Sequence, residues 1–257
     1  MERQAAHFVG DMSIMLGRSM RHIFRSVDTI IKVAVMPISM MLLFIYVFGG
    51  AIRTGTDNYV NYLLPGILLI AIANGIAYTG YRLFLDLQWG LFDRFHSMPI
   101  ARSAALWGHV LTSLLSNALS VLIIILVALL LGLRPVADPL DWFAIAGILM
   151  FFTLSLTWIA AIAGLSATSV DGVSAYSYPL LFLPFVSSAF VPTAAMPPAV
   201  RTFAQNQPVT SIVDALRALL SGQPVGSSIW VALAWCTGIL VVAYLVATGI
   251  YRSEAAR

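Results

Sequence analysis

Six apolar runs free of Asp, Glu, Lys and Arg follow one another along the chain: Val33 to Ile52, Asn58 to Tyr81, Ser103 to Leu133, Trp142 to Val170, Gly172 to Val200 and Ala218 to Tyr251. Crossing a hydrocarbon core of about 30 Å takes about 20 helical residues at 1.5 Å each, and every run reaches that length. The pattern predicts an all-α integral membrane fold in one domain, 1–257, with six transmembrane helices near residues 30–50, 59–81, 105–131, 142–165, 173–191 and 227–251. Turn formers separate several of them, among them Gly49-Gly50, Arg134-Pro135, Asp138-Pro139 and Ser221-Gly222-Gln223-Pro224.

Two segments depart from the plain spanning pattern. Over residues 7–25, Phe8, Val9, Met12, Met15, Leu16, Met20, Ile23 and Phe24 share one half of a helical wheel, opposite Asp11, Arg18, Arg21, His22 and Arg25. That arrangement predicts an interfacial elbow helix lying along the membrane surface. The fifth run carries Pro179, Pro184, Pro192, Pro197 and Pro198, each lacking a backbone donor, so a break is expected near Val191-Pro192. Residues 193–222 are then too polar for a lipid-facing span. They predict a re-entrant helical hairpin turning at Asn206-Gln207-Pro208, with Asp214 and Arg217, at i,i+3, as an internal pair.

Composition agrees with a membrane solvent: 60% of the 257 residues are hydrophobic and 10% charged, against about a quarter charged in soluble domains. An even number of spans puts both termini on one side. That side would hold Arg3, Arg18, Arg21, Arg25, Lys32, Arg82, Arg94, Arg102, Arg252 and Arg257, ten in all, and the other side four: Arg53, Arg134, Arg201 and Arg217. The asymmetry predicts cytoplasmic termini by the positive-inside rule. The net charge of +3 therefore reflects orientation and gives no basic face for nucleic acid. The N-terminus shows no early apolar core of a signal peptide, and the single cysteine, Cys236, excludes an internal disulfide.

Catalytic motifs are missing. A P-loop needs a lysine to neutralise phosphate, and the sole lysine, Lys32, follows Ile31 at a membrane boundary, so ATP hydrolysis by that route is excluded. Histidines 7, 22, 96 and 109 lack metal-ligand spacing, and no G-x-S-x-G elbow occurs. The acidic residues map to loops, span ends or the hairpin, which disfavours ion-coupled transport through mid-membrane carboxylates.

Three stretches in order resemble the type-2 ATP-binding-cassette permeases, especially the daunorubicin-resistance branch of drug and lipid exporters. They are Tyr62-Leu63-Leu64-Pro65-Gly66-Ile67 at the start of the second span, Gly90 to Arg102 between spans two and three, and Ser187 to Pro192 with Met196-Pro197 and Asn206 to Arg217 near the end. The sequence departs from that pattern in having Asp93 where glutamate is common and Gln207 between Asn206 and Pro208. The resemblance implies a non-catalytic permease subunit in a bacterial plasma membrane, paired with a second permease copy or a related one. Two ABC ATPase subunits, holding ATP and magnesium, would supply the energy, and no cofactor is expected in this chain.

On that reading residues 86–98 form a coupling helix, with Trp89, Leu91, Phe92 and Phe95 as apolar anchors and Asp93 and Arg94 as an orienting charged pair. Asn74 and Tyr78 in span two, and Tyr178, Phe182 and Phe185 in span five, recur at helical spacing and predict an aromatic cavity wall for hydrophobic drugs or lipids. Polysaccharide or lipid-linked glycan export by the same fold is the nearest alternative, and a membrane assembly factor or channel is one from another class.

Overall fold

The computed structural model describes residues 27–49, 59–89 and 102–254. The expected elbow helix at 7–25 lies outside these residues. Among the described residues every regular element is helical. In chain order they are α1 (Val27–Leu43, continued by a π-helical turn over Phe44–Phe48), α2 (Tyr59–Gln88), α3 (Arg102–Leu130), α4 (Pro139–Ser166), α5 (Val170–Phe182), α6 (Pro198–Gln205), α7 (Pro208–Leu220) and α8 (Ser228–Glu254).

Local chemistry explains many of the boundaries. Proline opens α4, α6 and α7 at the first turn, where its missing N–H would have had no intrahelical partner anyway. At the start of α4 the Asp141 carboxylate accepts the Asp138 backbone N–H at 3.0 Å. Ser169 caps α5 by accepting the Gly172 N–H at 3.1 Å. Gly132, Gly222 and Gly226 take positive φ in the turns that reverse the chain.

Four helical stretches are long and apolar enough to cross a membrane, at Tyr59–Gln88, Leu106–Leu130, Pro139–Ser166 and Ser228–Tyr251, and a shorter apolar stretch covers Val35–Phe48. The fifth run behaves differently from its sequence reading. Its α-helix stops at Phe182, well short of Val191-Pro192, and passes through a 3-10 turn at Leu183–Val186 into a non-helical stretch. Pro184 is the physical reason, because its ring clashes with the carbonyl four residues back and supplies no donor.

Helix α2 is the axis of the bundle and is buried on nearly every side. Leu63, Leu64, Ile67, Leu68 and Ile72 pack with Ile148, Leu149 and Phe152 of α4 and with Ile212, Val213 and Leu216 of α7. A second cluster fills the opposite end around Trp158, which meets Trp107 and Tyr244 edge-on at 5.5 and 4.8 Å. Bare glycine backbone lets α2 and α4 approach closely, since a Cβ on Gly164 would stand 3.0 Å from the Gly80 carbonyl oxygen.

The outer faces are as apolar as the core. Leu122, Leu126 and Leu130 on α3 and Trp230, Val242 and Leu245 on α8 are exposed. Charged residues gather at helix ends and in connections. Large apolar side chains facing outward with charge confined to the ends match a lipid solvent, so this is a multi-pass membrane protein.

Candidate functional site

Gln207, Thr210, Asp214 and Arg217 fall at i, i+3, i+7 and i+10, which places them on one face at the start and along the length of α7. That face meets the broken end of the fifth run. The Gln207 amide donates to the Leu183 carbonyl at 3.3 Å and to the Val186 carbonyl. The Ser188 N–H donates to Thr210 Oγ1 at 3.4 Å, and Ser188 Oγ donates to Asp214 Oδ1 at 2.7 Å. Arg217 Nη2 donates to the Ser188 carbonyl at 2.8 Å and the Tyr62 carbonyl at 3.4 Å, while Nη1 pairs with Asp214 Oδ1 at 3.1 Å.

These contacts explain how the break survives inside an apolar bundle. Leaving the helix frees carbonyls and amides that lipid cannot satisfy, and the α7 stripe supplies replacement partners for residues 183–188. Burial pushes the Arg217 pKa down from the ordinary arginine value, while Tyr62 and Asp214 push it up. The guanidinium stays charged, as arginine does in proteins. Beside the node, Arg201 staples the preceding loop by donating to the carbonyls of Thr193, Ala194 and Met196 at 3.2, 2.5 and 3.1 Å. Asn206 lies apart from the node and bonds the Thr202 carbonyl at 2.8 Å.

The aromatic residues flank this hinge. Tyr178, Phe182 and Phe185 are exposed, with the rings of Phe182 and Phe185 6.4 Å apart. Phe185 stacks on buried Phe190 at 5.3 Å, and Phe190 stacks on Phe44 of α1 at 4.7 Å. The close seat of residues 189–190 depends on Gly66, where an added Cβ would be 2.7 Å from Ala189 Cβ. Asn74 and Tyr78 are half-buried on α2; Asn74 bonds the Ile70 carbonyl at 3.0 Å and the Tyr78 ring lies 6.5 Å from Tyr81. No hydrogen bond or ring contact joins these two α2 residues to the α5 aromatics among the described residues.

At the opposite end, α2 closes with Gln88 and an exposed Trp89. Asp86 Oδ2 and His109 Nε2 stand 3.2 Å apart, bridging the last turn of α2 to α3. Leu91, Phe92, Asp93, Arg94 and Phe95 lie outside the described residues. Sequence reasoning missed Tyr62, Ser188, Thr210 and Gln207 as partners of the Asp214–Arg217 pair; the stripe spacing along α7 was the available signal.

The architecture is thus a membrane bundle of apolar helices in which a broken fifth helix is held by a polar hairpin. The chain matches the model of the ABC-2 type transporter family over residues 11–221 and belongs to that family. It is 30% identical over 231 residues to the daunorubicin resistance ABC transporter permease protein of Streptomyces coeruleorubidus, covering 88% of this chain and 81% of that protein. It is 25% identical over 245 residues to a probable doxorubicin resistance ABC transporter permease protein of Mycobacterium tuberculosis, covering 94% and 88%. A putative transport permease of Porphyra purpurea is 22% identical over 220 residues, covering 83% and 75%. The chain is thus an ABC transporter permease, and the family implies an ABC ATPase partner and pairing with a second permease.

Proposed function

We propose that the chain is the membrane subunit of an ATP-driven exporter of hydrophobic or amphipathic drugs or lipids. Two permeases of six spans each, with cytoplasmic termini in a bacterial plasma membrane, work by alternating access with two ATPase subunits that hold ATP and magnesium. The observation that carries the cargo class is the exposed row Tyr178, Phe182 and Phe185 beside a polar hinge. Aromatic faces take up apolar area and attract cationic amphiphiles without requiring a dense set of hydrogen-bonding groups, which a glycan path would need. The names of the drug-resistance relatives support the same reading.

In this cycle the hinge at residues 183–188 is the outer gate. The α7 stripe holds the gate backbone, and a small movement of α7 re-aims Phe182 and Phe185, which flank it. Residues 86–98 receive the push from the ATPase at the inner end, with Phe92 and Asp93 as anchor and orienting charge. Purification on a tag placed on this chain should co-elute the ATPase. Phe92→Ala or Asp93→Arg should release or uncouple it while expression and pairing of the permeases persist. Retention of the ATPase with parental turnover in both variants would sink the coupling assignment.

A further inference from the structure

Polar contacts join α2 to the first half of α3 and to the connection that follows α3. At one end Asn61 and Arg134 pair reciprocally, the Asn61 amide donating to the Arg134 carbonyl at 2.9 Å and the Arg134 N–H to Asn61 Oδ1 at 3.0 Å. At the other end Asp86 Oδ2 and His109 Nε2 meet at 3.2 Å. Between them the Thr79 hydroxyl meets Ser113 Oγ at 3.0 Å. One α2 turn away Asn117 packs on bare backbone, since a Cβ on Gly75 would stand 2.2 Å from Asn117 Oδ1.

The register is that of an antiparallel seam. As the α3 position rises through 109, 113 and 117, its α2 partner falls through 86, 79 and 75, and Arg134 in the connection after α3 continues the trend at Asn61. Positions 109, 113 and 117 are spaced four apart and form one stripe on α3. Ser113 Oγ also lies 3.2 Å from Thr157 Oγ1 of α4. The Thr79 hydroxyl divides its single proton between the Gly75 carbonyl and Ser113 Oγ, both at 3.0 Å. The Asn117 amide donates to the Ser113 carbonyl at 2.9 Å, which fixes Oδ1 toward Gly75. Ser113, Asn117 and Thr157 are all buried.

Sliding one helix past the other by a single residue, about 1.5 Å, would carry Asn117 off the bare backbone of Gly75. The same slip would separate Ser113 from Thr79 and His109 from Asp86. Thr79 and Asn117 would keep their bonds to the Gly75 and Ser113 carbonyls, but the rungs between the helices would be lost together.

We propose that Asp86, His109, Thr79, Ser113 and Asn117 are positioning residues that fasten α2 and α3 into one stiff hairpin. A push delivered where the chain passes from α2 to α3 travels along both helices together. The inference rests on the reading of residues 86–98 as the ATPase contact. It adds that force leaves that contact through a fixed register, with Ser113 carrying it on to α4.

The test uses the co-purified permease–ATPase complex in proteoliposomes, with ATP turnover as readout. Thr79→Cys and Ser113→Cys are combined in a Cys236→Ala background and oxidised with copper phenanthroline. A stiff hairpin predicts that the crosslinked complex turns over ATP at the rate of the same double variant before oxidation. Asn117→Leu should retain the ATPase and lower turnover about fivefold, in the range by which coupling residues act. Exchanging the Asp86 and His109 side chains, Asp86→His with His109→Asp, should recover turnover lost in Asp86→Ala. A crosslinked complex that keeps its ATPase but stalls would show that the helices slide, and would overturn the seam alone. Parental turnover in Asn117→Leu would overturn it too. A parental chain that retains no ATPase would remove the push and overturn the seam together with the coupling assignment.

Discussion

The guanidinium of Arg217 lies 3.9 Å above the centre of the Tyr62 ring, and both residues reach the same carbonyl, that of Ser188. One charged group on α7 thus holds a helix, a broken strand of backbone and a carboxylate at once.

Removing that group should be costly in a graded way. Arg217→Ala leaves the Asp214 carboxylate with the Ser188 hydroxyl and the Ser188 carbonyl with the Tyr62 hydroxyl as remaining donors, a loss of about 2 kcal/mol, and should lower the thermal midpoint of the detergent-solubilised protein by roughly 4–8 °C. Arg217→Lys should recover less than half, because an ammonium cannot stack on Tyr62 and fork to two acceptors. Combined with Asp214→Ala the effect should be less than additive. Strict additivity would show that the 3.1 Å pair carries no coupling energy.

Gln207 offers a second handle on the hinge. Replacing it by leucine keeps the volume but removes both donors to the Leu183 and Val186 carbonyls. The expected cost is about 1–3 kcal/mol, read as faster proteolysis between residues 183 and 196. Gln207→Glu should behave like leucine, since a carboxylate cannot donate. A glutamate variant of parental stability would refute this assignment of donors.

Topology can be read by thiol labelling in a Cys236→Ala background. Ala195→Cys should react with an impermeant reagent added to intact cells, and Arg94→Cys should be protected until the cells are opened. The reverse pattern would invert the orientation.

The aromatic row should matter to cargo more than to the fold. Phe182 is 65% exposed, so Phe182→Ala creates no cavity and should leave the thermal midpoint within about 2 °C. Its effect should appear in the stimulation of ATP turnover by amphipathic cations. Unchanged stimulation across alanine variants of Asn74, Tyr78, Tyr178, Phe182 and Phe185 would assign all five to lipid-facing packing.

Four of the six expected spans recur as helices long enough to cross a membrane, because apolar length suffices when the solvent is lipid, and α6 and α7 could be anticipated from Pro198, Pro208 and the intervening Asn206-Gln207. The position of the break was not legible. Pro179, Pro184 and Pro192 each permit one, and the choice near Pro184 depends on distant partners at Gln207, Thr210 and Arg217 that accept or donate to residues 183–188. The α2–α3 seam was equally hidden, since serine and threonine in a helix can satisfy themselves on the carbonyl four residues back, as Thr112 does on Gly108. Whether such a hydroxyl also reaches a neighbouring helix is settled by packing. Asp86 and His109 sit far enough apart in sequence that spacing gave no hint of their 3.2 Å contact.

The confinement of charge to helix ends has an electrical consequence. Residues 59–81, 110–130, 142–166 and 228–251 contain no Asp, Glu, Lys or Arg, and Asp214 and Arg217 cancel each other. Carrying one elementary charge across 100 mV is worth about 2.3 kcal/mol, and these helices have no net charge in mid-membrane to carry. The membrane potential therefore has almost no grip on any rearrangement of these four helices.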